Sequence, residues 1–458
     1  MATSIVVSKS SPVIVKPSSE PPPQTRATVE LSFFDKACIG LMTRSLLVFE
    51  HPIIHGDAPA ETIKRALSQA LVHYYPISGR IIAAAAAGAG DDDGDGESHI
   101  QCNGDGVAFV AASANCSLQD TGLFFLDGSP GARPAAAALL DELAAVACDP
   151  AGDGTLLLMQ VTEFTCGGFV LGVTWDHGVA DGAGMGQFLC AVGELARGLP
   201  SPSVVPARHG HSLPSSCPPS MLAAVQLYTR LEPMALPRLA IAIPSSSIER
   251  IRAEFMSRHS PGGRPCTAFE AVAAVLWRCR ARATMSSPGD PAWLAFLANL
   301  RKHLGVEDGY YGNCIHTQAV TATSGEVAGA DVVDLVQMIV GAKEKIPEMF
   351  EKKNGRGDDD DDDDRRPPVQ PTDRRQVARV QYSGLVLSSW RNLGFDVADF
   401  GGGTPARVIF HGQPVTHTPL CVISPSCEGK NEGLQLVMSA CVREEHVDAF
   451  LGELSRFM

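Results

Sequence analysis

The run after Leu199, PSPSVVPARHGHSLPSSCPPS over 200–220, constrains the fold more than any other stretch. Proline fixes φ and removes a backbone donor, serine offers the backbone rival hydrogen bonds, and no strong apolar period runs through it. Neither a helix nor a strand is expected to cross it. A chain of 458 residues also exceeds the length at which a single hydrophobic core usually stops growing. The run therefore reads as a linker over 201–222, between an N-terminal domain at 27–200 and a C-terminal domain at 223–458. Residues 1–26, polar and proline-rich through SSEPPPQTR, read as an extended lead-in more than a packed element.

Within the first domain, Ile63, Ala66, Leu67, Ala70, Leu71 and Tyr74 recur at helical spacing until Pro76 stops the run. The alternating SHIQCNGDGVAFVAA carries Asn103-Gly104, which suits a hairpin turn. FVLGVTW at 169–175 reads as a largely apolar strand, and Met185, Phe188, Leu189, Val192 and Leu195 line one face of a helix after it. In the second domain, Thr267 and Glu270 form a capping-box pattern before an apolar run. Further helices are expected over about 330–349 and around Val447, Phe450, Leu451 and Leu454, with strands at VQYSGLVLSSW and GLQLVMSACV. The two halves together predict an α/β fold of mixed sheets and helices.

Hydrophobic residues at 45% and charged residues at 19% suit a globular chain. The net charge of −14 is concentrated in two acidic runs at 91–97 and 358–364, whose 12 acids leave about −2 for everything else. Such runs repel themselves and read as solvated loops. No basic stripe or nucleic-acid motif is present, so no nucleic acid is expected as a partner. Thirteen scattered cysteines, without a C-x-x-C pair, favour reduced thiols. No apolar stretch approaches the ~18 residues of a membrane span, and no secretory pattern opens the chain. A cytoplasmic protein without membrane association is expected.

TWDHGVADGAGMG, at 174–186, sets His177 four residues ahead of Asp181 and then loads the chain with glycine. Two such residues cannot close a zinc site, and neither H-E-x-x-H nor a cysteine cluster supplies further ligands, so no metal is expected. The G-x-S-x-G elbow of a serine nucleophile is absent too. What remains is a histidine at a glycine-rich turn after a buried strand, which on spacing alone is either functional or structural.

The surrounding segments resemble the plant BAHD acyltransferases, which move acyl groups from coenzyme A thioesters. HGVADG at 177–182 fits H-x-x-x-D-G, and DFGGG at 399–403 is similar to D-F-G-W-G. LSFFD (31–35), YYPISGR (74–80), TAFEAVAAVLWRCR (267–280), NLRKHLG (299–305), YYGNC (310–314) and LSSW (387–390) follow in the family's order, so the likeness covers nearly the whole chain. The resemblance implies two α/β domains of the coenzyme A-dependent, chloramphenicol acetyltransferase-like fold, meeting at a tunnel. It implies acyl-CoA as a cosubstrate, no tightly bound cofactor, a small-molecule alcohol or amine acceptor, and a monomer.

On the same footing, His177 is the general base and Asp181 a support that pairs with Arg301. The Trp390 indole and the Ser388 hydroxyl are candidates for holding the tetrahedral oxyanion. Thr267, at a helix start, and the loop of Asp399 and Gly401 are assigned to coenzyme A. Aromatic donors, hydroxycinnamoyl or benzoyl, are expected ahead of acetyl and malonyl. The chain departs from the family at Gly402, where the motif has tryptophan, which puts local packing and coenzyme A handling in question. The rivals are a degenerate member that binds acyl-CoA or a partner without turnover, and an enzyme of the same fold acting on carrier-bound acyl groups.

Overall fold

The computed structural model describes residues 5–20, 27–54, 57–83, 98–123, 137–144, 154–208, 213, 231–259, 263–347, 380–412, 415–427 and 433–458. Both acidic runs, 91–97 and 358–364, lie outside them, as does most of the expected linker.

Two mixed sheets organise the chain. The first runs in the order Val7–Lys9, Val107–Ala114, Leu157–Glu163, Phe169–Asp176, Met42–Phe49, Arg407–Phe410, with Val13–Val15 also paired to Val107–Ala114. Only the Val107–Ala114 and Leu157–Glu163 pairing is parallel. The second runs Leu239–Pro244, Leu434–Ala440, Leu420–Ile423, Gly384–Ser389, Pro291–Asn299, Ile315–Thr323. Its two central pairings, on either side of Gly384–Ser389, are parallel.

The apolar patterns explain where the helices lie. Pro59–His73 starts with proline at its first position, and Ile63, Ala66, Leu67, Ala70 and Leu71 are all buried. It packs with Gly182–Ala196 over the first sheet, whose strand Phe169–Asp176 is buried in its first seven residues. Ala268–Thr284 carries the expected capping box, Thr267 with Glu270, and packs with Val332–Glu344 and Val447–Phe457 against the second sheet.

Three features differ from the expectations drawn above. The lead-in is extended, but Val7–Lys9 and Val13–Val15 pair with the first sheet, because Val107–Ala114 would otherwise leave an edge of unpaired backbone groups. Asn103-Gly104 does not close a hairpin: His99–Gln101 joins a separate three-stranded sheet with Thr28–Glu30 and Arg80–Ile82. Gly106, at φ 93°, then leads into the larger sheet, its backbone so close to Val15 that a Cβ would lie 2.5 Å from that residue's carbonyl oxygen. Finally, Arg407–Phe410, from the C-terminal half, pairs with Met42–Phe49 of the N-terminal half. The sequence does not reveal this exchange, since an apolar strand reads alike in either sheet.

Beside that strand the two sheets meet. Leu46, Val48 and Ile409 pack with Ala240, Leu436 and Met438 in one buried cluster. His411, buried at its edge, places Nε2 2.8 Å from Asp141 Oδ1 and about 3 Å from Arg238 Nη1. Burial, reinforced by Arg238, lowers the imidazole from its ordinary 6.5 to about 4. An unfolded chain thus takes up a proton below pH 6.5 that the folded protein refuses until about pH 4. The contribution of His411 to stability is full above pH 6.5 and falls by about 3 kcal/mol as pH drops through that window. Urea unfolding at several pH values will detect this fall, and His411→Asn will flatten it.

Candidate active site

The centre of the site is the five-residue passage from strand Phe169–Asp176 to helix Gly182–Ala196. Asp176 ends the strand and folds the turn by accepting the amides of Gly178 at 2.7 Å and Gly40 at 3.0 Å. His177 follows, its own amide bonded to the Leu41 carbonyl at 2.9 Å and its ring half-buried. Asp181 caps the helix by accepting the Gly184 amide at 2.9 Å.

His177 and Asp181 do not act on one another. Asp181 is 1% exposed and makes a two-pronged contact with Arg301, Nη1 to Oδ2 at 2.8 Å and Nη2 to Oδ1 at 2.9 Å. The Cys314 amide adds a third donor at 3.1 Å. Burial opposes the charge on Arg301, but Asp181 outweighs it and raises the guanidinium above its ordinary value. Arg301 also donates to the carbonyls of Gly312 at 2.7 Å and Tyr310 at 3.2 Å. Asp181 and Arg301 therefore fasten segment 310–314 beneath the turn that carries His177.

That segment brings in residues to which the sequence reading assigned no role. Asn313, fully buried, lies with Oδ1 2.9 Å from His177 Nδ1. Asp35, also fully buried, accepts from both the backbone and the side-chain amide of Asn313 at 2.9 Å. Arg208 pairs with Asp35 at 3.2 Å and belongs to the crossover run, where Ala207 and Tyr310 form an isolated parallel β-bridge. Asn313 and Asp35 stood inside YYGNC and LSFFD, so those motifs were the available signal. Arg208 had none.

Two cysteines border the site, and neither is a thiolate nucleophile. Burial, aided by Asp35, Asp181 and Asp176, pushes the Cys38 thiol well up, and burial raises Cys314 to about 12.

The glycines after His177 serve close packing and not a left-handed turn. Among the described residues, Gly178, Gly182, Gly184 and Gly186 are absent from those with positive φ. Instead, a Cβ at Gly184 would lie 1.9 Å from the Tyr311 carbonyl oxygen, and one at Gly186 would lie 1.8 Å from that of Leu393. Farther along, Gly193 meets the Asp399 carbonyl oxygen at 2.4 Å by the same construction. The glycine face is where the C-terminal half docks its backbone onto the helix.

Trp390 is 5% exposed, stacks on Phe395 with centroids 4.8 Å apart, and lies 6.3 Å from Trp175, two residues before His177. Ser388, half-buried, is in the adjoining strand Gly384–Ser389. No hydrogen bond joins either to His177 among the described residues. Thr267 spends its hydroxyl on the capping box, accepting from the Glu270 amide at 3.3 Å. Asp399 accepts from Gly401 at 2.8 Å and Gly403 at 3.0 Å and pairs with Arg197 at 3.6 Å. Arg197 ends the 15-residue helix that Asp181 begins, so this loop is about 20 Å from the His177 turn.

At Gly402 a Cβ would meet the carbonyl oxygens of Pro52 at 2.5 Å and His51 at 3.1 Å. The loop has closed over the space an indole would need. Restoring the family residue with Gly402→Trp is expected to lower stability by about 1–3 kcal/mol and not to raise turnover. Denaturation and steady-state rates of the variant test both expectations.

Among the described residues, no group of three or more His, Cys, Asp or Glu side chains is placed to hold a metal ion, and no helix is long and apolar enough to cross a membrane. The profile of the Transferase family matches residues 5–455. Acyl transferase 15 of Oryza sativa subsp. japonica is 43% identical, over 99% of both chains. A myricetin 3-O-glucosyl 1,2-rhamnoside 6'-O-caffeoyltransferase of Crocosmia x crocosmiiflora is 32% identical, over 99% of this chain and 100% of its own. Among solved structures, vinorine synthase superposes with a TM-score of 0.68 at 18% identity, covering 99% of this chain and 98% of that one.

Proposed function

We propose, for a chain that belongs to the Transferase family, the BAHD acyl-CoA-dependent O- or N-acyltransferases, that His177 is the general base of a direct acyl transfer. The observation that carries this reading is the division of labour at the turn. Among the described residues the Asp181 carboxylate is bonded by Arg301, Cys314 and Gly184, which leaves His177 as the group of the pair available to the reactants.

In the proposed reaction, His177 accepts the proton of an alcohol or amine as its oxygen or nitrogen attacks the thioester carbonyl of an acyl-CoA. A tetrahedral intermediate forms. Its oxyanion is held by the Trp390 indole N–H and the Ser388 hydroxyl, a single such donor being worth ~3 kcal/mol in a site that excludes water. Collapse breaks the carbon–sulfur bond, returns the proton to the sulfur, and releases free coenzyme A with the ester or amide. The two α/β halves meet at a tunnel through which donor and acceptor approach from opposite sides, and Thr267 contributes to coenzyme A binding. The protein acts as a cytoplasmic monomer.

The acyl group is hydroxycinnamoyl or benzoyl, a reading that the caffeoyltransferase relative supports. Direct attack is tested by intact mass. Protein mixed with acyl-CoA alone should keep its mass, and adding the acceptor should give acylated acceptor and free coenzyme A. A stable acyl adduct on the protein would overturn the scheme.

A further inference from the structure

We infer that Asn313 is a positioning residue that fixes the tautomer of His177, holding the proton on Nδ1 and leaving Nε2 as the bare, basic nitrogen. The inference rests on the general-base reading above, and adds which nitrogen serves and what sets it.

A primary amide has two N–H donors on nitrogen and only lone pairs on oxygen. Asn313 Nδ2 lies 2.9 Å from Asp35 Oδ1 and 2.7 Å from the carbonyl oxygen of His177, so each of its hydrogens has an acceptor. Rotating the amide by half a turn would set Asn313 oxygen against both of those oxygens at the same separations. It would lose two hydrogen bonds in a site where Asn313 is 0% exposed and water cannot replace them. The amide therefore has one orientation, with Oδ1 toward His177 Nδ1 at 2.9 Å. An amide oxygen can only accept, so the imidazole nitrogen facing it carries the hydrogen. A neutral imidazole has one N–H, which leaves the lone pair on Nε2.

The orientation is secured one step farther out. Asp35 accepts from Ser32 through the amide at 3.0 Å and the hydroxyl at 2.7 Å, and pairs with the buried Arg208 at 3.2 Å. A carboxylate so surrounded by donors holds the Asn313 amide nitrogen in place. Asp35 stands in the N-terminal half, Arg208 in the crossover run and Asn313 in the C-terminal half, so the tautomer of His177 depends on the two halves being docked.

Selective 15N-histidine NMR of the intact protein, with His177 assigned by difference from His177→Gln, reads the tautomer directly and requires no turnover. The expected result is an Nδ1-protonated, Nε2-bare ring. An Nε2-protonated ring overturns the inference while leaving general-base catalysis itself to be judged by rates. Asn313→Ala should shift the ring toward the other tautomer and lower kcat about 10²-fold, with KM for acyl-CoA within about threefold. Asn313→Asp, which sets an oxygen where Asp35 Oδ1 and the His177 carbonyl each require a donor, should not exceed the alanine variant in kcat, and wild-type activity in it would remove the orientation argument. A folded Asn313→Ala with wild-type kcat and tautomer would sink the assignment. The spectrum of the unaltered protein decides the matter even if both variants unfold.

Discussion

Asp181→Ala is expected to destabilise the protein by about 3 kcal/mol, because it leaves the partly buried Arg301 without its carboxylate. Arg301 would keep its burial and lose the bidentate carboxylate at 2.8 and 2.9 Å. The Gly184 and Cys314 amides would lose their acceptor, and the helix Gly182–Ala196 its cap. Loss of stability on this scale corresponds to a fall in thermal midpoint of about 10 °C for a domain of roughly 200 residues. Turnover should fall as well, since Arg301 no longer fastens segment 310–314 under His177. The double variant Asp181→Ala/Arg301→Met removes both charges and should recover about half of the lost stability, because the uncompensated, partly buried charge is a large part of the penalty. A thermal midpoint unchanged in Asp181→Ala would contradict this view of the pair.

The second large effect is expected at the glycine face. Gly184→Ala places a methyl carbon 1.9 Å from the Tyr311 carbonyl oxygen, a backbone atom on a segment tied down by Arg301 and Asp35. No rotamer relieves that contact. Either the helix or segment 310–314 has to shift by about an ångström, at a cost of about 3 kcal/mol. Activity should suffer more than stability, on the order of 10²-fold, because the displaced Tyr311 lies two residues from Asn313 and the catalytic geometry tolerates little error. Gly341→Ala is the control. It lies in helix Val332–Glu344 with nothing within 4 Å of the added carbon, and should gain about 0.5–1 kcal/mol from helix propensity alone. Equal behaviour of the two variants in urea unfolding and in rate assays would refute the docking role.

Local patterns made much of this fold legible. The capping box of Thr267 and Glu270, the helical spacing from Ile63 to Leu71 and the apolar run at 169–175 each state their own structure, since short-range periodicity and capping are enough to define them. The Asp181–Arg301 contact came into view only through family resemblance, as no spacing links residues 120 apart. Asp35 and Asn313 are 278 residues apart, and nothing in either segment announces an amide clamp. The strand Arg407–Phe410 reads as ordinary strand, and only tertiary packing sends it to the first sheet. The glycines after His177 are visible in the sequence, but it shows the missing Cβ without showing the carbonyl that takes its place.

General-base catalysis by His177 is decided by thiol release from a panel of acyl-CoA donors and alcohol or amine acceptors, run on the wild type and on His177→Ala. Turnover is expected with at least one hydroxycinnamoyl- or benzoyl-CoA pair, reduced on the order of 10³-fold in His177→Ala while coenzyme A binding persists. Tight coenzyme A binding without turnover for any pair, or a His177→Ala variant that turns over within a few-fold of wild type, would contradict general-base catalysis.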